Sequence, residues 1–86
     1  MARLIGSKTK TEYLDISRPI RIDSSLFKFD FFGEGKGFYR EYYRSIKDLD
    51  ILVMIEYNKE SYGITRGVIM SHSLDLIKYA KNCLIN

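Results

Sequence analysis

A run of aromatic residues around a glycine-rich turn constrains this chain more than any other feature. Residues 27–47 have the sequence FKFDFFGEGKGFYREYYRSIK and contain eight of the twelve aromatic side chains in a chain of 86 residues. Glycines at 33, 35 and 37 can adopt positive φ angles, and dense aromatic residues are typical of strands. The pattern therefore predicts a hairpin of two strands joined by a turn at residues 33–37.

The hairpin predicts two aromatic faces, because successive side chains of a strand point to opposite sides. The first strand is expected over residues 26–32, with one face formed by Phe27, Phe29 and Phe31 and the other by Leu26, Lys28, Asp30 and Phe32. The second is expected over residues 38–46, with one face formed by Phe38, Arg40, Tyr42 and Arg44 and the other by Tyr39, Glu41, Tyr43 and Ser45. A helix over 38–48 is the alternative, and the aromatic density disfavours it.

The remaining pattern predicts an α+β fold, with a four-stranded antiparallel sheet followed by one C-terminal helix (ββββα). Residues 49–57 and 62–70 are rich in Ile, Val and Met and form the third and fourth predicted strands. A helix is predicted over 72–85 with Ser71 as its N-cap, and its apolar stripe consists of Leu76, Ile77, Ala80, Cys83 and Leu84. Residues 18–86 are expected to form this single domain, and residues 1–17 an N-terminal arm or extra short strands at 3–5 and 13–16.

The composition argues against an enzyme and against a metal site. Cys83 is the only cysteine and His72 the only histidine, so the chain can form no internal disulfide and no zinc site from nitrogen and sulfur ligands alone. The carboxylates are scattered among cations, and no nucleophile has a base beside it in the sequence. We therefore expect a non-enzymatic protein with no cofactor.

The net charge and the hydropathy pattern limit which partners and which location we expect for the protein. The net charge of +3 and the pI of about 9.0 suit a polyanionic partner. We find neither a secretory leader pattern nor an apolar run long enough to span a bilayer. The expected location is the cytoplasm, with nucleoid association if the protein binds DNA.

The basic and aromatic residues of the second strand indicate binding of single-stranded nucleic acid. Rings on a sheet face stack bases, and neighbouring Lys or Arg side chains hold phosphates. The face of Arg40 and Arg44 gains further cations if Lys28 and Arg66 join it from flanking strands. The alternative is that Phe38 and Tyr42 fill a core while the arginines extend from it to solvent. One helix can cover only one of the two aromatic faces, so the other must meet a partner, a ligand or water.

From about residue 18 onward the chain resembles the single-stranded DNA-binding proteins related to transcriptional positive cofactor four, including their short bacterial members. Residues 36–38 (Lys-Gly-Phe), followed by Arg40, Glu41 and Arg44, are similar to a Lys-Gly-aromatic step with basic residues after it. Residues 53–57 resemble an Asp-Ile-Arg-aromatic strand, with Glu56 where Arg is frequent. Residues 65–71 resemble the family's Lys-Gly-Ile-Ser/Thr-Leu-Ser step into the helix.

The resemblance implies a homodimer that binds single-stranded DNA, or RNA, in transcription or replication. The implied binding residues are Lys28, Lys36, Phe38, Arg40, Tyr42, Arg44 and Arg66, with Tyr57 and Lys59 as secondary candidates. Phe38 and Tyr42 would stack bases and the cations would hold phosphates. A second hypothesis is a small protein-binding module or inhibitor of viral or mobile-element origin, since Tyr and Arg are frequent anchors of protein interfaces.

Overall fold

The computed structural model of the protein describes residues 9–84, which form an antiparallel sheet with a C-terminal helix. The elements are, in chain order, β1 (Lys10–Tyr13), β2 (Phe27–Gly35), β3 (Phe38–Ser45), β4 (Leu52–Asn58), β5 (Ile64–Ser71) and α1 (Leu74–Leu84). The sheet order is β1-β5-β4-β3-β2. The predicted α+β class is therefore confirmed, but among the described residues the sheet has five strands and not four.

The additional strand comes from the N-terminal arm. β1 pairs antiparallel with β5, with Lys10 opposite Ser71 and Tyr13 opposite Val68. Of the short strands considered for residues 1–17, the one expected at 13–16 is found earlier in the chain, at Lys10–Tyr13. Backbone groups of β5 would otherwise form an unpaired sheet edge, and β1 satisfies them without needing apolar side chains. The strand considered at residues 3–5 lies outside the described residues.

A β-bulge at Asp30 changes which side chains of β2 share a face. Phe29 lies opposite Tyr43, whereas Phe31 lies opposite Tyr42. Asp30 is therefore an extra residue of β2 that is paired with no residue of β3 in the strand register. The predicted grouping of Phe27, Phe29 and Phe31 is consequently wrong at Phe31, which lies on the opposite face. Phe32 lies on the face of Phe27 and Phe29 instead, because an inserted residue inverts the alternation of all side chains after it.

The hydrophobic core lies between α1 and one half of the sheet. Val53, Ile55 and Ile69 are at most 1% exposed and pack with Ile77, Ala80 and Leu84 of the helix. The segment between β1 and β2 closes the same side, since Leu14 is buried and Ile20 and Ile22 pack against this core. α1 contacts β5 and β1 but neither β2 nor β3. Phe27, at the start of β2, is still buried in the core, whereas the part of the hairpin nearer its turn has no helix over it on this side.

α1 begins later than predicted, and its cap is a different serine. Ser73 Oγ accepts a hydrogen bond from the Leu76 backbone N–H at 3.4 Å, as an N-cap residue does. Ser71, the predicted cap, is instead the last residue of β5 and is fully buried. The predicted apolar stripe is confirmed, because Ile77, Ala80 and Leu84 are buried and the other two members pack against the core.

Asp50 ties the turn before β4 to the end of β5. Its carboxylate accepts hydrogen bonds from the Ser71 hydroxyl at 2.8 Å and the His72 backbone N–H at 3.1 Å, and it contacts His72 Nδ1 at 2.7 Å. Partial burial acts to raise the pKa of Asp50, but the hydrogen bonds from His72 and Ser71 together outweigh it and lower the pKa below its ordinary value. His72 itself is exposed.

Replacing Asp50 with Asn is expected to lower the free energy of unfolding by roughly 1–3 kcal/mol at neutral pH, because the buried Ser71 hydroxyl loses a charged acceptor. A folded-state pKa below the ordinary value contributes stability above that value and loses it as the pH falls through the folded pKa. Urea unfolding should therefore show a constant difference between the variant and the wild type near neutrality, which shrinks below about pH 4. A difference that grows on acidification would contradict this role of Asp50.

Candidate nucleic-acid interface

The face of the sheet opposite α1, here called the open face, collects most of the predicted binding residues. Directly paired residues have side chains on the same side of a sheet. The registers Lys28↔Arg44, Phe31↔Tyr42, Arg40↔Glu56, Tyr42↔Met54 and Glu56↔Arg66 therefore define one continuous face across β2 to β5. Helix α1 lies on the other side, with Val53, Ile55 and Ile69.

Six of the seven predicted residues lie on the open face, and the seventh, Lys36, lies in the hairpin turn at its end. The six are Lys28, Phe38, Arg40, Tyr42, Arg44 and Arg66. The secondary candidates do not join them. Tyr57 pairs with Tyr39 on the helix side, and Lys59 forms an ion pair with Glu34 on that side at 2.6 Å.

Phe31 is the residue of this face that the sequence pattern missed. Its ring stacks on the Tyr42 ring with centroids 4.2 Å apart and planes 11° from parallel. Phe31 is 46% exposed, so the stacked pair presents an accessible aromatic surface. Only the bulge at Asp30 brings Phe31 to this side, and strict alternation along the strand assigns it to the other.

A carboxylate lies between two of the arginines. Glu56 Oε1 is 3.8 Å from Arg40 Nη2 and 3.0 Å from Arg66 Nη2. Its side chain is 12% exposed, against 33% and 38% for the two arginines. The Nε atoms of both arginines are buried and have no hydrogen-bond partner among the described residues. One acidic group thus serves two guanidinium groups, which leaves an excess of positive charge at the centre of the face.

Three hydrogen bonds hold the side chain of Arg44 near the C-terminal end of β3. Its Nε and Nη2 donate to Asp30 Oδ2 at 3.2 and 3.0 Å, and its Nη1 donates to the Leu49 carbonyl at 3.1 Å. The Arg44 guanidinium is therefore oriented by the bulge residue. At the other end of β3, Arg40 Cζ lies 4.5 Å from the centroid of the Phe38 ring, within the range of a cation–π contact.

Two glycines of the hairpin turn position Phe38. β2 extends to Gly35, so the turn proper is Lys36-Gly37 and is shorter than the predicted 33–37. Gly37 has a φ of 89°, a conformation that favours glycine. Gly35 is required for a different reason, because a Cβ atom there would overlap the Phe38 ring, which lies directly over the glycine.

Replacing Gly35 with Ala is expected to displace the Phe38 ring and with it the cation–π contact to Arg40. We expect roughly fivefold weaker binding of single-stranded oligonucleotide, at the lower end of the effect of losing one stacking ring. Replacing Gly33 with Ala is the matched control, because a Cβ atom there has only ordinary contacts, the nearest at 3.6 Å from Tyr42. Fluorescence anisotropy with a labelled oligonucleotide compares the two, and equal affinities would contradict the role given to Gly35.

The described residues contain neither a candidate metal centre nor a candidate membrane-spanning helix. Residues 9–84 bring together no group of three His, Cys, Asp or Glu side chains that could hold a metal ion. In the same part of the chain, no helix has the length and apolar character needed to cross a membrane. Cys83 is partly buried and packs against the core.

Comparison of the chain with protein-family models, with curated proteins and with solved structures finds no match. The resemblance to the positive-cofactor-four relatives therefore stays a prediction. The function is argued below from the geometry of the open face.

Proposed function

We propose that the protein binds single-stranded nucleic acid, most simply DNA, on the open face. The observation that supports this most directly is the stacked pair of Phe31 and Tyr42 with Arg40 and Arg44 beside it on the same side of the sheet. Bases of any sequence can stack on exposed rings, and arginines beside the rings can neutralise phosphates. The fold order β2 to β5 followed by α1 is the ββββα order of the family that the sequence resembles.

The path of a strand follows from where rings and cations lie. Phe31 and Tyr42 form the middle of the β2–β3 hairpin, with Phe38 and Lys36 towards the turn and Lys28 and Arg44 towards the other end. A single strand laid along the hairpin would stack bases on the rings and pass its backbone over the cations. Arg40 and Arg66 reach the same backbone from the centre of the sheet, where Glu56 holds them in place.

The experiment that tests this function is a titration of labelled oligo-dT at two or more salt concentrations. For three to four contacted phosphates, log K should fall with log salt with a slope on the order of −2 to −3. Duplex DNA of the same length should bind more weakly, because its bases are already stacked. Absence of binding at low salt, or binding without salt dependence, would contradict the proposal. Competition between oligo-dT and oligo-U separates DNA from RNA, since base stacking and phosphate contacts are available to both and the 2′-hydroxyl is what distinguishes RNA.

Replacing Glu56 with Gln is expected to strengthen this binding. The amide keeps the size of the carboxylate but removes the negative charge between Arg40 and Arg66, so both guanidinium groups can face phosphate. We expect a several-fold tighter complex at low salt and a salt slope steeper by about one unit. Affinities measured over a salt series test this, and a weaker complex or an unchanged slope would count against the assigned roles of the two arginines.

We further propose that the protein acts as a homodimer in the cytoplasm or nucleoid, in transcription or replication. Several large apolar side chains remain exposed at the end of the sheet near the start of α1, including Ile46, Leu49 and Leu74 at 54%, 62% and 56%. A second copy could cover them and enlarge the core of a small domain. Sedimentation or light scattering measures the mass in solution, and a monomer at concentrations well above those needed for oligo-dT binding would contradict the dimer.

A further inference from the structure

The helix side of the β2–β3 hairpin carries an aromatic cavity that the nucleic-acid hypothesis does not use. Its volume is about 520 Å³, and it is lined by Phe32, Tyr39, Glu41, Tyr57 and Tyr62. It exists because α1 covers only the β5 and β1 half of this side. The Tyr39 ring has the Phe32 ring at 5.5 Å and a nearly parallel Tyr62 ring at 6.4 Å, measured between centroids.

Glu41 is the only carboxylate among the residues that line this cavity. No Lys, Arg or His of residues 9–84 lies within ion-pair distance of the Glu41 carboxylate. Tyr43 donates its hydroxyl hydrogen to Glu41 at 2.9 Å. Burial, the charge of Glu41 and a hydrogen bond to it raise the pKa of Tyr57 to about 12, so this phenol also stays a donor. The cavity thus combines a negative charge with the electron-rich faces of several rings, which is the chemistry that attracts an organic cation.

Tyr62 occupies its place in the lining at a conformational cost. It has a φ of 58°, the only positive φ outside glycine in the described part of the chain. A tyrosine is unfavourable in that conformation, which glycine or asparagine adopts with less strain. The turn nevertheless holds Tyr62 there through a hydrogen bond from its backbone N–H to the Asn58 carbonyl at 2.9 Å, with the side chain 69% exposed. Its ring is nearly parallel to the Tyr39 ring, so the turn holds an exposed ring in the lining of the cavity.

We propose that this cavity binds the ammonium group of a lysine side chain, free or methylated, carried by a partner protein. The negative Glu41 and the surrounding rings match a cation with an aliphatic stem. The openness of the site favours a group presented by a polypeptide over an enclosed small molecule, because Phe32 and Tyr62 are 51% and 69% exposed. The inference is independent of nucleic-acid binding, since its residues lie on the other side of the sheet.

A lysine of the chain itself already lies at the rim of the cavity. Lys59 Nζ is 5.4 Å from the centroid of the Tyr39 ring and is held by Glu34 at 2.6 Å. Lys59 does not line the cavity, so the space between Glu41 and Tyr62 remains available. Its position shows that an ammonium group is compatible with the Tyr39 face, and it also makes Lys59 the rival occupant that an experiment must separate.

The test uses three lysine probes that differ only in the substituents on Nε, which make two of them cationic and one neutral. Nα-acetyl-lysine methylamide, its Nε-trimethyl form and its neutral Nε-acetyl form are titrated into labelled full-length protein while the tyrosine ring resonances are followed by NMR. Both charged probes should give saturable shifts at Tyr39, Tyr57 and Tyr62, with the neutral probe at least about fivefold weaker. Equal binding of all three probes, or no saturable shift with either charged probe, would overturn the proposal. Choline binding much more tightly than both charged probes would overturn the choice of a polypeptide as the source.

Variants assign the binding to the cavity and exclude Lys59 as its occupant. Glu41→Gln and Tyr62→Ala should each weaken the charged probes by about fivefold or more. Tyr13→Ala, which removes another exposed tyrosine from the opposite side of the sheet, should leave them unchanged. Lys59→Met should leave the affinity equal or raise it. If the probes bind Lys59→Met but not the wild type, Lys59 is the natural occupant and the proposal is wrong. Oligo-dT affinity measured on the cavity variants reports on the open face separately.

Discussion

Replacing Tyr42 with Ala is expected to weaken the binding of oligo-dT by about fivefold or more while leaving the salt dependence unchanged. The substitution removes one ring of the stacked pair and leaves Phe31 without its partner 4.2 Å away. Loss of one base–ring contact costs roughly 1–3 kcal/mol, which corresponds to a factor of about 5 to 150 in affinity. No phosphate contact is removed, so the number of counterions released on binding should stay the same.

The Tyr42→Phe variant is the matched control for this measurement. It keeps the ring and its stacking on Phe31 and removes only the hydroxyl, so its affinity should lie within about twofold of the wild type. Tyr42→Ala also uncovers Met54, its partner on β4, which is 6% exposed. Thermal unfolding of both variants therefore has to accompany the titration. Equal binding by Tyr42→Ala and Tyr42→Phe at a temperature where both are folded would contradict stacking at this position.

Replacing Ile69 with Ala should have the largest effect on stability. Ile69 is fully buried in β5, opposite Val53 on one side and Glu12 on the other, and its side chain belongs to the core beneath α1. Truncation of a buried isoleucine costs roughly 2–5 kcal/mol, because the lost transfer energy is joined by a cavity that the surroundings fill only in part. In a domain of this size each kcal/mol lowers the melting temperature by about 4–8 °C.

Ile64→Ala makes the same chemical change on the same strand and serves as the control. Ile64 is 36% exposed near the start of β5, so we expect a cost of no more than about 1 kcal/mol there. Urea unfolding monitored by circular dichroism measures both variants. Similar costs at positions 64 and 69 would show that the helix side of β5 is not the core. Below its melting temperature Ile69→Ala should still bind oligo-dT, because the open face lies on the other side of β5.

The sequence pattern was sufficient to predict the secondary-structure elements in those segments where hydrophobic periodicity is strong. The α1 stripe of Ile77, Ala80 and Leu84 is confirmed, and the Ile- and Val-rich segment predicted as the third strand contains β4 except its last residue. β1 could not be predicted, because Lys10–Tyr13 is polar and pairs through backbone groups that any sequence possesses. The helix start was misplaced by competition between two serines. Ser71 and Ser73 have equal capping propensity, and the hydrogen bond of Ser71 to Asp50 decides between them.

The residues of the open face were predicted correctly in β3 and only in part in β2. Strict alternation holds in β3, where one face is shared, as predicted, by Phe38, Arg40, Tyr42 and Arg44. In β2 the bulge inverts it, and Asp30 alone does not reveal a bulge in the sequence. Phe29 lies on the helix side of the sheet and is still 50% exposed, because an eleven-residue helix covers only half of a five-stranded sheet. The uncovered half contains the aromatic cavity.

The most direct test of the central claim is a map of the oligo-dT contact surface by amide and side-chain NMR shifts of the labelled protein. The account predicts that the largest shifts occur at Lys28, Phe31, Phe38, Arg40 and Tyr42, with the arginine side-chain resonances of Arg44 and Arg66 among them. The residues of α1 and Tyr62 should change little. Shifts concentrated on α1 or around Tyr62, with the open face unchanged, would show that nucleic acid does not bind where the rings and arginines of β2 and β3 come together.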